Sequence, residues 1–276
     1  MLTIADLLRV SATLEGASDS PRLDVEVLLC HVLNRPRSYL YAWPERTVDN
    51  TQRGRFQALL HRRQQGEPVA HLTGIKEFWS LPLQVNASTL IPRPETELLV
   101  QLTLDLALSE TASVLDLGTG CGAIALALAH ERPLWRVIGV DKVEDAVKLA
   151  EQNRRHLGLN NAAFFDSNWF ASIPAQLFDV VVSNPPYIAA TDTHLREGDV
   201  RFEPASALVA DDNGCAAIRH IIDTAPNWLV TSGWLLIEHG FDQGQTVREL
   251  LRASGYHHIV TATDLAGVER VTRGCL

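Results

Sequence analysis

The chain has 276 residues, 46% of them apolar and 21% charged, which at roughly 100–200 residues per domain points to two compact units and excludes disorder, collagen and coiled coil. Its net charge of −9 argues against a general nucleic-acid binder, whose surface must neutralise phosphates. The charge is uneven: residues 1–75 carry nine arginines against eight acidic side chains, leaving about −10 on the rest of the chain.

The longest apolar run near the middle, Ala123 to Ala129, is seven residues, far short of the ~20 that a bilayer-spanning helix needs. The opening Met-Leu-Thr-Ile-Ala-Asp lacks the basic and apolar regions of a secretory signal, so a cytoplasmic protein is expected. Cys30, Cys121, Cys215 and Cys275 are far apart and none lies in a C-x-x-C pair, so zinc ribbons, thioredoxin chemistry and attached haem lose their support. His257 and His258 are adjacent, but alternation on a strand would point them to opposite faces, and no metal site is expected.

In chain order, Thr3 caps an apolar-periodic run through Ile4, Leu7, Leu8 and Leu14. Ser20-Pro21 opens a helix through Val25, Leu28, Leu29 and Val32. Asp49 or Asn50 opens another through Phe56, Leu59 and Leu60, closed by Arg62, Arg63 and Gly66. Residues 1–75 therefore read as a small helical bundle, with Arg53, Arg55, Arg62 and Arg63 as a solvated helix face before a partner-facing one. Residues 76–92 read as a β-hairpin linker, with strands around Phe78 to Val85 and a turn at Asn86-Ala-Ser88.

From residue 93 to the end, helices and strands alternate. A helix near 95–109 precedes strands at Ser113–Leu117, Trp135–Val140, Ala162–Phe165, Val180–Ser183, Gly233–Glu238, His258–Ala262 and Val268–Thr272. Helices at Ala123–Ala129 and Val143–Leu157 fall between the first three. This alternation predicts an α/β fold with a doubly wound, mostly parallel sheet, whose ligands bind beyond the carboxyl ends of the strands. Arg93 and Glu95, around Pro94, read as a helix start rather than as chemistry.

The turn Gly118-Thr119-Gly120-Cys121-Gly122 after the first of these strands permits positive φ and lets a ligand approach free N–H groups at a helix start. It satisfies both the dinucleotide fingerprint and the glycine loop of S-adenosylmethionine (AdoMet) methyltransferases. Asp141, ending the next strand, is placed to accept both ribose hydroxyls of either ligand, and Asp141-Lys-Val-Glu144 also reads as a capping box. Asn168 is positioned to pair with an adenine edge and Trp169 to cover its face, unless Trp169 and Phe170 are core aromatics.

Asn184-Pro185-Pro186-Tyr187 decides between the ligands. Asn184 offers a side-chain oxygen and Pro185 a carbonyl, so a planar –NH2 group can donate one hydrogen to each while Tyr187 stacks on its face. An amide nitrogen is a poor nucleophile. Two acceptors on its hydrogens raise its electron density, and confinement ~3 Å from an electrophilic methyl supplies the approach geometry. Hydride transfer has no use for such a clamp, so a nicotinamide oxidoreductase falls behind.

The motif and glycine loop together resemble amino-group AdoMet methyltransferases. Gly66-Glu-Pro-Val-Ala-His-Leu-Thr-Gly74, Phe78-Trp79, Ile91-Pro-Arg-Pro-Glu-Thr-Glu97, Asp116-Leu-Gly-Thr-Gly120, Ser183-Asn-Pro-Pro-Tyr187 and Val200-Arg-Phe-Glu-Pro204 resemble, in order and spacing, the HemK-type release factor glutamine methyltransferase family. The resemblance implies a seven-stranded class I methyltransferase (Rossmann-like) sheet with AdoMet as methyl donor and no metal. It implies methylation of the glutamine in the Gly-Gly-Gln motif of peptide chain release factors, giving N5-methylglutamine. It further implies that the N-terminal bundle helps to dock the release factor; the charge balance and the short apolar runs predict neither nucleic acid nor membrane as partner. By the same resemblance Gly118 to Gly122, Asp141, Trp169 and Asn184 line the cofactor site; family members often carry Asp where this chain has Asn168. The alternatives are a ribosomal-protein glutamine methyltransferase and an N6-adenine nucleic-acid methyltransferase.

Overall fold

The computed structural model describes residues 2–276, Met1 lying outside them. The chain forms two compact units, and the first is discontinuous: residues 1–75 together with Thr193–Phe202. The second comprises Lys76–Asp192 and Glu203–Leu276.

The first unit holds α1 (Ile4–Leu8), α2 (Pro21–Leu33), α3 (Arg37–Ala42), α4 (Asn50–Gln64) and α5 (Val69–Thr73). Thr3 makes a capping box with Asp6, and Asp49 caps α4 by accepting from the Gln52 N–H at 2.8 Å. The run after Thr3 does not stay α-helical to Leu14, however: it tightens into a 3-10 helix over Arg9–Leu14. Leu14, Val25, Leu28, Leu29, Leu40 and Phe56 interlock in its core, removing apolar surface from water.

Arg63 corrects the expectation of a solvated basic face. It is 6% exposed, its Nε donating to Asp24 Oδ2 at 2.7 Å and its Nη1 to Asp199 Oδ1 at 3.2 Å and to the Gly66 carbonyl at 3.2 Å. Arg201 Nη2 donates to the Gln65 carbonyl at 2.8 Å. A Cβ on Gly66 would lie 1.7 Å from that guanidinium, so the glycine makes room for an arginine 135 positions later in the chain as well as ending α4. Sequence periodicity cannot register either partnership, because both come from the distant Thr193–Phe202 segment.

The second unit begins with a hairpin of β1 (Ile75–Phe78) and β2 (Leu81–Gln84). The turn sits at Trp79-Ser80, with φ 53° and 60°, the left-handed pair that a two-residue hairpin needs, rather than at Asn86-Ala-Ser88. There Asn86 Oδ1 instead accepts from the Ser88 N–H at 2.9 Å, closing a separate turn. After a 3-10 turn at Pro94–Thr96, α6 (Glu97–Leu104) ends earlier than its apolar pattern predicts. Thr103 Oγ1 donates back to the Leu99 carbonyl at 2.8 Å, a competitor to helix continuation.

There follow β3 (Ser113–Leu117), α7 (Ala123–Glu131), β4 (Arg136–Asp141), α8 (Glu144–Leu157), β5 (Ala162–Asp166), β6 (Phe178–Ser183), β7 (Ile188–Ala189), α9 (Ala205–Leu208), β8 (Val209–Ala210), α10 (Ala216–Thr224), β9 (Leu229–Glu238), α11 (Gly244–Ala253), β10 (His257–Thr263) and β11 (Glu269–Cys275). The main sheet has seven strands in the order β10-β11-β9-β6-β3-β4-β5. β3, β4, β5, β6 and β9 are mutually parallel, while β11 runs antiparallel to β9 and β10. Leu115, Leu117, Val181, Leu235 and Ile237 are fully buried, as continuous apolar strands covered on both faces must be. His257 and His258 do not alternate across the sheet. His258 has φ 50° and the register slips between His257 and Val260, and both rings are exposed. Among the described residues no group of ligating side chains could hold a metal ion, and no helix is long and apolar enough to cross a membrane.

The chain winds β3-β4-β5 outward in one direction and then returns to lay β6 on the other side of β3. That reversal opens a crevice beyond the carboxyl ends of β3 and β6. Ser183 Oγ donates to the Leu117 carbonyl at 2.8 Å, tying the two strand ends together where the glycine turn and the Asn-Pro-Pro-Tyr turn leave the sheet.

Candidate active site

A cavity of about 100 Å3 occupies this crevice. Its wall includes Gly118, Thr119, Gly120 and Cys121 from the turn after β3, Asp141 after β4, Asn168 and Trp169 after β5, and Asn184 and Pro186 after β6. Four separate strand ends thus deliver the residues singled out in the sequence to one place.

The glycine turn is held by backbone bonds. The N–H groups of Gly118 and Thr119 both donate to the Val140 carbonyl at 2.9 Å, and that of Gly122 to the Thr119 carbonyl at 2.9 Å. Gly122 stands apart from the other turn residues, since it is off the cavity wall. At φ +88° a Cβ there would lie 3.0–3.2 Å from Leu126, Ala150 and Phe164. Its absent side chain lets α7 close onto the sheet.

Asp116 anchors the turn from below: its Oδ2 accepts from Thr119 Oγ1 at 2.7 Å and from the Ala125 N–H at 3.2 Å. Burial raises this carboxyl to about 7. Burial likewise pushes the Cys121 thiol up to about 12, so it stays protonated and is no nucleophile.

Asp141 Oδ2 accepts from the Gly120 N–H at 3.0 Å and Oδ1 from the Val143 N–H at 2.9 Å. The expected capping box with Glu144 does not form, because Val143 is the N-cap of α8 and makes no side-chain cap. Asp141 turns the chain instead, and a carboxylate with one bond on each oxygen retains lone pairs for ligand hydroxyls. Trp169 lies over Gly118, where a Cβ would meet its ring at 3.6 Å; Phe170 is a core aromatic, stacked on Trp228 at 5.9 Å.

The turn after β6 is held by side chains from far along the sequence. Asn184 Nδ2 donates to Thr96 Oγ1 at 3.1 Å. The Tyr187 hydroxyl reaches Glu238 Oε1 at 3.4 Å, and the Tyr187 carbonyl accepts from Gln243 Nε2 at 3.0 Å. Burial raises the Tyr187 phenol above its ordinary range and Glu238 to about 7. Pro185 is buried, and neither it nor Tyr187 is on the cavity wall. The stacking surface expected of Tyr187 instead packs against the sheet core.

Thr89 and Thr96 were invisible as site residues, since a threonine between a hairpin and a helix carries no signal. Both are buried and line the cavity, and Thr89 Oγ1 makes no hydrogen bond. A buried hydroxyl without a partner on a cavity wall fits a polar ligand. Ser206 and Ala207 of α9 complete the wall. Arg93, set aside as a helix start, pairs with buried Glu203.

A family model described as the PrmC N-terminal domain matches residues 7–74, and one described as the methyltransferase small domain matches residues 94–211. The chain is 54% identical over 274 residues to the release factor glutamine methyltransferase of Pseudomonas aeruginosa, covering 99% of each. It is 51% identical to that of Escherichia coli over 267 residues, 97% of this chain and 96% of the relative. Among solved structures, a methyltransferase from Pyrococcus furiosus shares the fold at TM-score 0.55 and 15% identity, over 79% of this chain and 96% of that one.

Proposed function

Because the chain belongs to the release factor glutamine methyltransferase family, we propose that it transfers a methyl group from AdoMet to the side-chain amide nitrogen of the Gly-Gly-Gln glutamine of peptide chain release factors. The observation that carries this reading is the meeting of two turns, one through Gly118 to Cys121 and the other through Asn184 and Pro186, on one cavity wall. One suits a nucleoside and the other a primary amide.

The residues present fit the donor. Asp141 supplies carboxylate lone pairs for ribose hydroxyls, Trp169 an aromatic face and Asn168 a side-chain amide for adenine, and Thr89 a buried hydroxyl with no other partner. AdoMet, when bound, supplies a methyl group made electrophilic by its sulfonium. The protein's own work is to bind and orient the acceptor. Asn184 spends its –NH2 on Thr96 and so presents Oδ1 as an acceptor for one amide hydrogen, while the Pro185 carbonyl takes the other.

Two acceptors in one plane direct the nitrogen lone pair out of that plane and enrich it without a general base. Transfer would break the methyl–sulfonium bond as the nitrogen–methyl bond forms, leaving S-adenosylhomocysteine, and the methylated amide would lose its extra proton to water. Pro185 and Pro186 lack N–H groups and fix φ, so no backbone donor competes for the acceptors and the turn is rigid. The helical unit is assigned to docking the release factor, and the protein to the cytoplasm.

The test is transfer of labelled methyl to purified release factor, to the same factor with its Gly-Gly-Gln glutamine replaced, to ribosomal protein and to DNA. Label should appear on the first alone; label on the glutamine-free factor or only on DNA would overturn the reading.

A further inference from the structure

The Asn-Pro-Pro-Tyr turn is gripped at its two ends. At the entry, Ser183 Oγ donates to the Leu117 carbonyl at 2.8 Å and Asn184 Nδ2 to Thr96 Oγ1 at 3.1 Å. At the exit, the Tyr187 carbonyl accepts from Gln243 Nε2 at 3.0 Å. Between these grips Pro185 and Pro186 have a fixed φ and no N–H to anchor. The direction of the Pro185 carbonyl therefore follows from where the two ends are held.

Gln243 is itself held in place. It is the buried N-cap residue of α11; its Oε1 accepts from the Gly240 N–H at 2.9 Å, and its own N–H donates to the Gly240 carbonyl at 3.0 Å. A backbone N–H can only donate, so Gly240 takes the oxygen end of the Gln243 amide and leaves the –NH2 end for Tyr187. Both partners are backbone groups, so this orientation holds at any pH at which the protein is folded. Gly214, in the loop before α10, makes room for the contact: a Cβ there would collide with the Tyr187 carbonyl oxygen and lie 2.9 Å from Gln243 Nε2. Two elements distant in sequence thus converge on one carbonyl of the turn.

We propose that Gln243 is a positioning residue that holds the exit of the turn by the Tyr187 carbonyl and so aims the Pro185 carbonyl at the acceptor glutamine. This rests on the assignment of a glutamine amide as the methyl acceptor. Gln243 is not on the cavity wall, and its effect on the reaction runs through the turn alone.

The experiment compares Q243M and Q243E with the parent in full-length enzyme, using labelled AdoMet and purified release factor. The turnover number, the KM for release factor and the AdoMet Kd by calorimetry are read separately, with thermal unfolding as a check on folding. Q243M keeps the length of the side chain but neither hydrogen bond. Q243E keeps the shape and an acceptor for the Gly240 N–H, and its carboxylate has no hydrogen to give the Tyr187 carbonyl. Both are expected to lower kcat about 10–100-fold, the scale of a misplacement of about 1 Å at a reacting group, while the AdoMet Kd and the KM move by less than about threefold. If one variant fails to fold, the same division between kcat, KM and Kd in the other decides.

A parent-like kcat in Q243E would overturn the inference, because the Gly240 bond would then account for the residue without Tyr187. An unchanged kcat in Q243M would also overturn it, as would a loss that only tracks weakened AdoMet binding. A parent that binds AdoMet but never labels the release factor glutamine would overturn the substrate assignment and this inference with it. An active parent with indifferent variants overturns this inference alone.

Discussion

The glycine turn after β3 and the Asn-Pro-Pro-Tyr turn after β6 leave adjacent strands of one sheet, yet they are held by different means. The first is secured largely from nearby: backbone bonds to Val140, a carboxylate three residues back in Asp116, and Asp141 at the next strand end. The second depends on side chains 88, 51 and 56 residues away, namely Thr96, Glu238 and Gln243. A turn whose task is to let a ligand approach needs only its backbone shaped. A turn that must aim one side-chain amide needs an outside framework to fix which atom points where.

The contrast predicts that the two turns fail differently. The largest loss is expected from N184A, which should lower kcat about 10²–10³-fold, the scale on which removal of one preorganised polar partner at a reacting centre is felt; steady-state turnover on release factor checks it. D141A should instead raise the Kd for AdoMet about 10–100-fold, since it removes charged acceptors from the cofactor wall and frees the Gly120 and Val143 N–H groups. Calorimetry should show that loss, and much of the rate should return at saturating AdoMet.

G122A should sharpen the division within the glycine turn itself. A methyl at φ +88° facing Leu126, Ala150 and Phe164 should reduce stability by about 1–3 kcal/mol through strain and overpacking, read from urea unfolding. Gly118 and Gly120, which line the cavity, should report chiefly in AdoMet affinity.

A further prediction concerns pH and compares the two anchors directly. Asp116 and Glu238 are raised by burial to about 7, from ordinary values of 3.8 and 4.5. The folded state therefore favours their protonated forms. The stability they confer is fully present below the ordinary values and is lost as pH rises to about 7. Each contributes a slope of at most about 1.4 kcal/mol per pH unit across that window. D116N and E238Q should each flatten the fall in unfolding free energy between pH 5 and 7.

How much of this was legible depended on where the partners lie. The strands Ser113–Leu117 and Ala162–Phe165 and the helix starting at Ala123 were readable because apolar runs and a glycine-rich break are local signals. The two chemical turns were readable for a similar reason: Gly118 to Gly120 needs no side chains, and Asn184 with two prolines writes its stiffness into consecutive letters. Arg63 was misread as solvated because its partner Asp199 belongs to a segment 136 residues later. The hairpin turn moved to Trp79-Ser80 because tertiary support outweighed the turn preference of Asn86. Tyr187, read as a stacking surface, was drawn into the core by Glu238 and the sheet.

By itself, then, the sequence determined the α/β class, the helical start, the glycine turn and the Asn-Pro-Pro-Tyr motif, all of which rest on periodicity and backbone chemistry acting over a few residues. Only the tertiary structure decided that Thr89 and Thr96 line the cavity, that Gly122 serves packing, that Thr193–Phe202 belongs with the helical unit, and that Thr96 is the partner of the Asn184 amide. The physical reason is that buried polar groups must find partners wherever the fold brings them, and those partners carry no mark of each other along the chain.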